Sequence, residues 1–378
     1  MKNIRVYILG HDHYNTYGII RSLGEKGIKS NVVIIGTSMK DSFVLRSKYI
    51  YKKGAFPTKE ESISFLISEA SVCETNILIC CSDDAEELVM TYSDLLKKLF
   101  ILPVCDSIDD QKSYMSKSFI TKLAEEIGFS VPMTWKVENR KIPDSVMFPC
   151  ITKPEISTLG RKSDIVKCLN RVELENIVYD KNRCSNFTIQ QYISFEKEIS
   201  ILGVVLNDGT VVFSGCIDKI RTCMIGTSSF ACMVDNSIIG DYKKKLEKLL
   251  SLTAYKGLFS AEFLLKDKVL YFLEINFRND GNTYVSTKSG INLPYLYVQS
   301  YLSQKKIDIP TPKLPCYFML EIEDFMSNVI LGKVSLTEWR HNFLQSDCCL
   351  VYNKFDKKPF LKKLYTFIVS IIKRKLKR

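Results

Sequence analysis

Long apolar runs and cysteine pairs at metal-binding spacing are both missing from this 378-residue sequence. No apolar stretch reaches the roughly 18 to 20 residues of a membrane-spanning helix. The apolar run at the N-terminus, about five residues, is shorter than the roughly 7 to 15 of a secretion signal. The thirteen cysteines contain no C-x-x-C, so a zinc site is not predicted. We therefore expect buried, reduced thiols and a cytoplasmic protein.

Histidine and glycine motifs are also scarce. Only three histidines occur, and no Ser-His or Cys-His arrangement for nucleophilic catalysis is evident. The consecutive residues His11, Asp12 and His13 diverge in direction, so a polar loop explains them more simply than a metal site. No G-x-G-x-x-G follows the first strand-like run, which argues against a dinucleotide-binding fingerprint.

Positive charge is concentrated at one end of the chain. The formal net charge is +11, yet residues 353–378 hold ten Lys or Arg against one Asp. This tail alone carries +9, which leaves +2 for residues 1–352. The sequence therefore predicts a nearly neutral body with a basic extension, and the body shows no basic, aromatic-rich face typical of nucleic-acid binding.

The first hundred residues alternate strand-like and helix-like patterns. Short, continuously apolar runs at Ile4–Leu9, Asn31–Ile35 and Ile77–Cys81 are separated by amphipathic segments. This pattern predicts a parallel sheet covered on both faces. Ligands of such sheets bind where strands end, which points to the loops Gly10–Tyr17 and Cys81–Asp84.

The middle of the chain has the pattern of an antiparallel sheet. Asn207-Asp208-Gly209 between two apolar runs predicts a hairpin, and a second hairpin is predicted within Leu258–Arg278. An amphipathic helix is predicted over Ser113–Ile127, and another over Tyr242–Leu252. The sequence therefore predicts a mixed fold, α/β at the N-terminus and α+β after it.

The second hairpin gathers acidic and amide side chains. Pairing Lys266 with Leu270 across a three-residue turn places Glu262 opposite Glu274. Strand periodicity then puts Glu274, Asn276 and Arg278 on one face. The other face, with Val269, Tyr271, Leu273, Ile275 and Phe277, is predicted to face the core. Two carboxylates and a carboxamide suit magnesium, which binds nucleotide phosphates. A solvated sheet face or an ion pair with Arg278 is the alternative from the residues alone.

Several motifs in order resemble the ATP-grasp superfamily. The strand Glu274–Arg278, preceded by Glu262, is similar to its E-x-N-x-R metal strand. Phe148–Pro154 resembles its P-x-x-x-K-P strand, and Gln190–Ile193 resembles its Q-E-Y-I hinge. Lys117, with the G-x-x-V-P segment after its helix, resembles the opening of the nucleotide domain. The ordered set is far more specific than any one motif.

The resemblance implies a function for each matching position and ATP with Mg²⁺, or Mn²⁺, as cofactors. Metal ligands would be Glu262, Glu274 and Asn276, and Arg278 would stabilise the transferring phosphoryl group together with Lys153. The implied nucleotide-binding residues are Lys117, Lys153, Ser157, Gly160, Gln191, Tyr192, Ile193 and Glu198. Two positions depart from the family pattern, since Gln191 replaces a common acidic residue and the phosphate loop holds only Gly160.

The implied architecture is an ATP-grasp fold behind an N-terminal Rossmann-like domain. We predict a Rossmann-like domain over residues 1–104 and the ATP-grasp region over 105–312, with a lid at about 146–193. A C-terminal segment with a basic amphipathic tail would occupy 313–378. The boundaries follow the change from parallel to antiparallel patterning and the composition of the tail.

The resemblance implies a carboxylate–amine ligase that forms an amide through an acylphosphate, with ATP cleaved to ADP and phosphate. A narrower resemblance is to D-aspartate ligases and cell-envelope polysaccharide ligases. Candidate contacts to the carboxylate and amine substrates are Asn15, Tyr17, Asp83, Lys219 and Arg221, although the last two equally suit an exposed strand end. The alternatives are an ATP-binding regulatory or assembly protein with little turnover, and a phosphotransferase.

The basic tail predicts a second partner. Phe360–Ile372 has an apolar strip with Lys or Arg at both ends, which suits a helix at an anionic membrane interface. A terminal helix docked on the protein is the alternative. We expect peripheral association with the inner face of the cell membrane and no binding of nucleic acid.

Overall fold

The computed structural model describes residues 4–70, 74–105, 116–137, 139–154, 164–183, 187–223, 227–303 and 306–376. The strands are β1 (Ile4–His11), β2 (Ser30–Ile35), β3 (Ile50–Phe56), β4 (Thr75–Cys80), β5 (Thr134–Val137), β6 (Cys150–Pro154), β7 (Val166–Cys168), β8 (Phe187–Gln191), β9 (Lys197–Val205), β10 (Val211–Thr222), β11 (Ser228–Val234), β12 (Gly257–Lys266), β13 (Val269–Asn276), β14 (Cys316–Met319) and β15 (Cys348–Cys349).

Helices cover the sheets and connect them. They are α1 (Tyr14–Gly24), α2 (Lys59–Ser68), α3 (Asp83–Thr91), α4 (Ser93–Leu96), α5 (Lys117–Ile127), α6 (Arg171–Val178), α7 (Tyr242–Thr253), α8 (Thr283–Ser289), α9 (Leu293–Leu302), α10 (Glu321–Asp324), α11 (Leu336–Gln345) and α12 (Lys357–Leu376), with a π-helical turn at Phe325–Val329.

The N-terminal sheet is parallel and has the order β3-β2-β1-β4. Val6 and Ile8 of β1 pack into one buried cluster, while Tyr7 and Leu9 pack into another on the opposite face. Burial on both faces explains the continuous apolar run, and it confirms the predicted parallel sheet. The edge strand β3 was not predicted, because its middle residues are exposed and include lysines.

A small antiparallel sheet with the order β5-β8-β6-β7 carries two of the sequence motifs. Cys150 on β6 and Phe187 and Ile189 on β8 form its core together with Val137 of β5. The motif strand around Lys153 therefore lies beside the hinge strand β8, with Lys153 paired to Thr188.

The central sheet has seven strands in the order β13-β12-β9-β10-β11-β14-β15. The hairpin β9–β10 turns at the predicted Asn207-Asp208-Gly209, where Gly209 adopts a φ of 85°. Two strands of the C-terminal segment extend this sheet, because β14 pairs antiparallel with β11 and β15 pairs parallel with β14. The C-terminal segment is thus part of the main sheet as well as the carrier of the tail.

The last helix, α12, is longer than the predicted strip. Its first turn packs on the body, since Phe360 contacts the main buried cluster and Asp356 accepts hydrogen bonds from Ser47 and from the backbone of Lys48. Among the described residues, no helix combines the length and apolar character that crossing a membrane requires.

The predicted character of the cysteines is confirmed wherever the structure describes them. Eleven cysteines lie in the described ranges, and each is buried and unpaired by a disulfide. Burial raises the pKa of the Cys80 and Cys348 thiols well above the usual range, which disfavours the reactive thiolate. These side chains act as small apolar groups.

Candidate active site

A cavity of about 570 Å³ lies between the small sheet and the end of the central sheet. Strands β6 and β8 form one wall, and β12 and β13 form the other. Ten of the residues singled out from the sequence line it: Asp83, Lys153, Gln191, Tyr192, Ile193, Glu198, Glu262, Glu274, Asn276 and Arg278. A cleft of this size and mixed polarity is typical of a small-molecule site.

The acidic wall of the cavity depends on an irregular hairpin. Strands β12 and β13 pair Lys266 with Val269, so the turn has two residues, Asp267 and Lys268, with φ of 48° and 64°. These values are typical of a type I′ turn. The predicted three-residue turn is therefore wrong by one residue.

A β-bulge restores the predicted opposition of the two carboxylates. The pairing shifts by one residue between Phe263 and Glu262, which leaves Leu273 unpaired and sets Glu262 opposite Glu274. A bulge adds one residue to one strand and redirects the side chains beyond it. The prediction that these two glutamates face each other is confirmed, although the register assumed near the turn was wrong.

The bulge also changes which side chains face the cavity. Leu273 lines it together with Glu274, although the sequence pattern placed Leu273 on the core face. The core face holds Leu270 and Phe272 before the bulge and Ile275 and Phe277 after it. The predicted core positions of Val269, Tyr271 and Leu273 are therefore wrong, since strict alternation fails at a bulge.

The paired glutamates create an electrostatic demand for a cation. Burial raises the pKa of Glu262, and the charge of Glu274 adds to the rise, whereas Lys219 opposes it. Among the described residues no three His, Cys, Asp or Glu side chains form a metal-binding group by themselves. Two carboxylates with the carboxamide of Asn276 instead offer a partial oxygen set, which suits Mg²⁺ completed by water and phosphate.

Lys219, a predicted substrate contact, does not line the cavity but lies beside its acidic wall. On β10 it forms an ion pair with Glu198 of β9, and Glu262 and Glu198 raise the pKa of Lys219 against the opposite effect of burial. Glu198 lines the cavity as predicted for a ribose contact, but its carboxylate already holds this ammonium group. Lys219 is thus placed to offset the negative charge of the site.

Arg278 connects the acidic wall to the N-terminal sheet. Its Nε donates to Asp83, the first residue of α3, and Nη2 donates to Asn276 Oδ1 at 3.3 Å. Burial lowers the pKa of Arg278, but the charges of Asp83 and Glu86 raise it by more than burial lowers it. The net pKa is raised, so the guanidinium stays charged. The positive charge at the cavity edge is therefore oriented by one residue at the start of α3 and one at the end of β13.

The opposite wall carries the lysine and the hinge. Lys153 Nζ donates to Gln190 Oε1 at 2.8 Å, and Gln191 and Tyr192 donate backbone N–H groups to the carbonyls of Met133 and Pro149. These two hinge N–H groups are already satisfied by protein carbonyls. An adenine ring would therefore have to use other polar groups of the hinge.

Two predicted substrate contacts lie away from the cavity. The hydroxyl of Tyr17 is buried and donates to Asp356 at the start of α12. Arg221 forms a bidentate ion pair with the buried carboxylate of Asp324, at 3.2 and 2.8 Å. The predicted substrate roles of Tyr17 and Arg221 are not supported by these positions, because each side chain is engaged in a structural contact, and Arg221 is not on an exposed strand end.

The remaining predicted residues divide into two groups. Asn15 is buried and donates to the backbone oxygen of Asn279, so it supports the loop after β13 rather than lining the cavity. Lys117 begins α5, but its side chain, like Ser157 and Gly160, lies outside the described residues. Their predicted nucleotide contacts stay predictions.

Several apolar residues line the cavity without having been predicted as site residues. Ile151, Ile165, Leu264, Leu273 and Phe195 line it beside the polar groups. Asp280 also lines it, although it was not among the predicted site residues. Leu264 lies two residues after Glu262 on one strand face, so strand periodicity could have identified it.

A protein-family model described as the ATP-grasp domain matches residues 122–290. Formate-dependent phosphoribosylglycinamide formyltransferase of Prochlorococcus marinus (strain MIT 9312) is 24% identical, over 43% of this chain and 43% of that protein. The matched region thus covers less than half the length of this curated relative.

Solved structures share the fold over most of the chain. N5-carboxyaminoimidazole synthetase from Staphylococcus aureus, complexed with ADP, has a TM-score of 0.66 at 14% identity and covers 86% of this chain and 84% of its own. L-amino acid ligase from Bacillus licheniformis has a TM-score of 0.61 at 15% identity, with 80% and 75% covered. At these identities the likeness is one of fold.

Proposed function

Since this chain carries an ATP-grasp domain, we propose that it is an ATP-dependent carboxylate–amine ligase. One observation carries the proposal. Glu262, Glu274 and Asn276 lie across one cavity from Lys153, and Arg278 lies at its edge. Carboxylates and a carboxamide can hold Mg²⁺, and two cations can offset phosphate charge, which are recurring parts of phosphoryl transfer from ATP.

The proposed reaction has two steps. An oxygen of the substrate carboxylate attacks the γ-phosphorus of ATP, and the bond from that phosphorus to the β-phosphate oxygen breaks. ADP leaves, and the substrate becomes an acylphosphate. The nitrogen of an amine then attacks the acyl carbon, the carbon–oxygen bond to phosphate breaks, and phosphate leaves with the electron pair. The amine proton passes to solvent, and the product is an amide.

The protein's own residues act by position and charge. Lys153 would contact the phosphates, and Arg278 would stabilise the transferring phosphoryl group, held in place by Asp83 and Asn276. Glu262, Glu274 and Asn276 would hold Mg²⁺, which offsets phosphate charge when bound. Lys219 offsets part of the repulsion between the two carboxylates.

The test is magnesium-dependent ADP release against a panel of carboxylates and amines. The variant Glu274→Gln should lower turnover by about 100-fold, because it removes one charged metal ligand while keeping the shape. The control variant Glu126→Gln changes an exposed residue of α5 and should leave turnover unchanged. ATP binding without ADP or amide formation across the panel would refute the ligase.

Two other functions stay open as alternatives. An ATP-binding regulatory or assembly protein is suggested by Gln191 and by the single glycine, Gly160, in the phosphate-loop segment. A phosphotransferase would use the same cavity without an amine. Mass spectrometry of products separates the three, since amide, phosphorylated carboxylate and unchanged ATP differ in mass.

The basic helix supports a further part of the proposal, peripheral attachment to an anionic membrane. Leu361, Tyr365, Ile368 and Ile372 are spaced by four, three and four residues on α12, and all are exposed. Helical spacing places them in one stripe about 16 Å long. Neighbouring lysines would meet anionic headgroups while the stripe enters the interface.

A flotation assay with anionic and neutral liposomes tests this attachment. Substituting Leu361→Gln and Ile368→Gln should abolish flotation while leaving the contacts of Phe360 intact. The control Leu95→Gln with Val172→Gln removes exposed apolar side chains elsewhere and should float as the parent does. Attachment at the inner face of a cell membrane would fit a precursor of cell-envelope polysaccharide or peptidoglycan, and we propose such a precursor as the substrate.

A further inference from the structure

One carboxylate of the cavity has no part in the proposed binding of ATP or Mg²⁺. Asp280 is partly exposed and lines the cavity from the loop after β13. Two other carboxylates, those of Asp83 and Glu198, form ion pairs within the protein. Glu262 and Glu274 are the proposed metal ligands, and within the described ranges Asp280 forms no metal-binding group with them. Asp280 is therefore available to another ligand.

The backbone orients the carboxylate of Asp280 without neutralising its charge. Its Oδ1 accepts the backbone N–H of Asn282 at 2.8 Å, a contact typical of an Asx turn. The two cations nearby, Arg278 and Lys219, form their ion pairs with other carboxylates. Among the described residues no group donates to Oδ2, so this oxygen can accept from a ligand in the cavity.

The charge of Asp280 adds to the negative charge of the acidic wall. Burial and the charge of Glu274 raise the pKa of Glu262, and Asp280 adds to that rise. Arg278 does not require Asp280 as a partner, because it is paired with Asp83. Like charges gathered at one place cost free energy, which a cationic ligand would offset. The cavity therefore favours a positively charged group beside Asp280.

Asp280 lies at the end of the cavity nearest the N-terminal sheet. Asn279, the residue before it, donates its backbone N–H to the carbonyl of Cys80, the last residue of β4, at 3.1 Å. Gly281, the residue after it, packs so closely on the ring of Tyr14 in α1 that a Cβ there would lie 2.5 Å from the ring. These two contacts fix Asp280 where β13 meets the N-terminal sheet.

The hinge lies at the opposite end of the cavity. Along β12, the partner of Glu198, which follows the hinge, is four residues from the partner of Asn276. At a rise of about 3.3 Å per residue, these positions are about 13 Å apart, and Arg278 and Asp280 lie beyond Asn276. A nucleotide held at the hinge would place the acyl carbon of the intermediate beyond Arg278. Asp280 is therefore on the side from which the amine must attack.

We propose that Asp280 binds the amino group of the amine substrate, and that this substrate is a cationic amine in solution. Asp280 Oδ2 accepts an N–H of the ammonium group and holds its nitrogen beside the acyl carbon. One proton passes to solvent, the neutral nitrogen attacks, and a second proton leaves for solvent as the amide forms. The inference rests on the proposed ligase activity and identifies the residue that selects the amine.

Two kinds of nucleophile separate this contact from the ligase reaction itself. Hydroxylamine is uncharged near neutral pH and traps an acylphosphate as a hydroxamate. Ammonium and the protein amino acids carry a positively charged nitrogen and give amides. The carboxylate of the panel that yields the most hydroxamate is assayed with both kinds, and kcat and KM are measured for each nucleophile.

The variant Asp280→Asn keeps an acceptor for the N–H of Asn282 and removes the charge. We expect kcat/KM for the best charged amine to fall by at least about tenfold, mainly through KM, and that for hydroxylamine to change by less than about twofold. Asp280→Glu restores the charge and should recover part of the loss. The matched control is Asp235→Asn, because Asp235 accepts the backbone N–H of Ser237 at 2.7 Å in the same kind of turn but does not line the cavity.

An equal loss with both kinds of nucleophile, or no change with the charged amine, would overturn the inference. Hydroxamate formation by the parent without an amide from any charged amine would overturn it as well. No hydroxamate across the carboxylate panel would instead refute the ligase. An unchanged melting temperature and retained ATP binding show that each variant is folded.

Discussion

At the scale of single residues, the structure separates side chains that serve the site from those that hold the fold. Arg278 and Lys219 are charged and partly buried beside the acidic wall, and their partners Asp83 and Glu198 line the cavity. Tyr17 was also predicted to contact substrate, but it is fully buried and its hydroxyl donates to Asp356. Burial and partner identity, rather than residue type, decide the role.

The variant Tyr17→Phe tests this distinction. It removes the hydroxyl that donates to Asp356, at 3.2 Å to the backbone oxygen and 3.3 Å to the carboxylate. We expect the free energy of unfolding to fall by about 1 kcal/mol while ADP release is unchanged. Tyr51→Phe, at an exposed tyrosine, is the control for urea unfolding. A change in the KM of either substrate with unaltered stability would restore Tyr17 as a substrate contact.

A second residue-scale prediction concerns Glu86. Burial raises the pKa of this carboxyl to about 7, because Arg278 only partly opposes the rise and Asp83 adds to it. Glu86 Oε1 is buried and has no hydrogen-bond partner among the described residues. The folded state therefore binds a proton that the unfolded state releases above about pH 4.5. Stability should fall as pH rises from about 4.5 to 7 through this group.

Glu86→Gln should remove that dependence, because the amide keeps the shape without ionising. We expect the variant to exceed the parent in unfolding free energy at pH 8 by about 1 to 3 kcal/mol, and to match it near pH 5. Urea unfolding at both pH values is the measurement. Glu87→Gln, at the more exposed neighbour, should leave the pH dependence of the parent in place. An equal change in the unfolding free energy of Glu86→Gln at pH 5 and at pH 8 would contradict the raised pKa of Glu86.

At the scale of elements, patterning located the hairpin but not its irregularity. Alternation over Val269–Arg278 correctly placed Ile275 and Phe277 in the core and Glu274 in the site. It could not predict that Leu273 faces the cavity, because the sequence does not show where a bulge interrupts the alternation. The edge strand β3 and the short strands β14 and β15 were missed for a related reason. The middle of β3 is exposed and holds lysines, and β14 pairs with β11, which is far from it in sequence, so local periodicity identifies neither strand.

The turn of this hairpin gives an element-scale prediction. Lys268 has a φ of 64°, a conformation that glycine adopts without steric cost. Lys268→Gly should therefore stabilise the protein by about 0.5 to 1 kcal/mol and preserve the register. Lys266→Gly, two residues earlier in β12, should destabilise it by a similar amount, because it loosens a paired strand. Thermal unfolding of both variants is the measurement. Melting temperatures that shift in the same direction for both would refute the type I′ turn.

At the scale of the whole molecule, the site exists only because separate sheets meet. The central sheet contributes the carboxylates, the small sheet contributes Lys153, and the N-terminal sheet contributes Asp83 through the start of α3. The motifs indicated which residues matter, since ten of them do line one cavity. The sequence could not indicate that Arg221 would instead pair with Asp324, because that contact joins residues 103 positions apart.

Asp83→Asn tests whether the N-terminal sheet orients the site. The change keeps a hydrogen-bond acceptor for Arg278 but removes the charge that holds the guanidinium at the cavity edge. We expect turnover in the ADP-release assay to fall by about tenfold, with ATP affinity nearly unchanged, since Arg278 would lose orientation rather than charge. Asp94→Asn, at an exposed position in the first turn of α4, is the matched control. Unchanged turnover in Asp83→Asn would mean that β13 alone orients Arg278, and the N-terminal sheet would then contribute packing but no positioning to the proposed reaction.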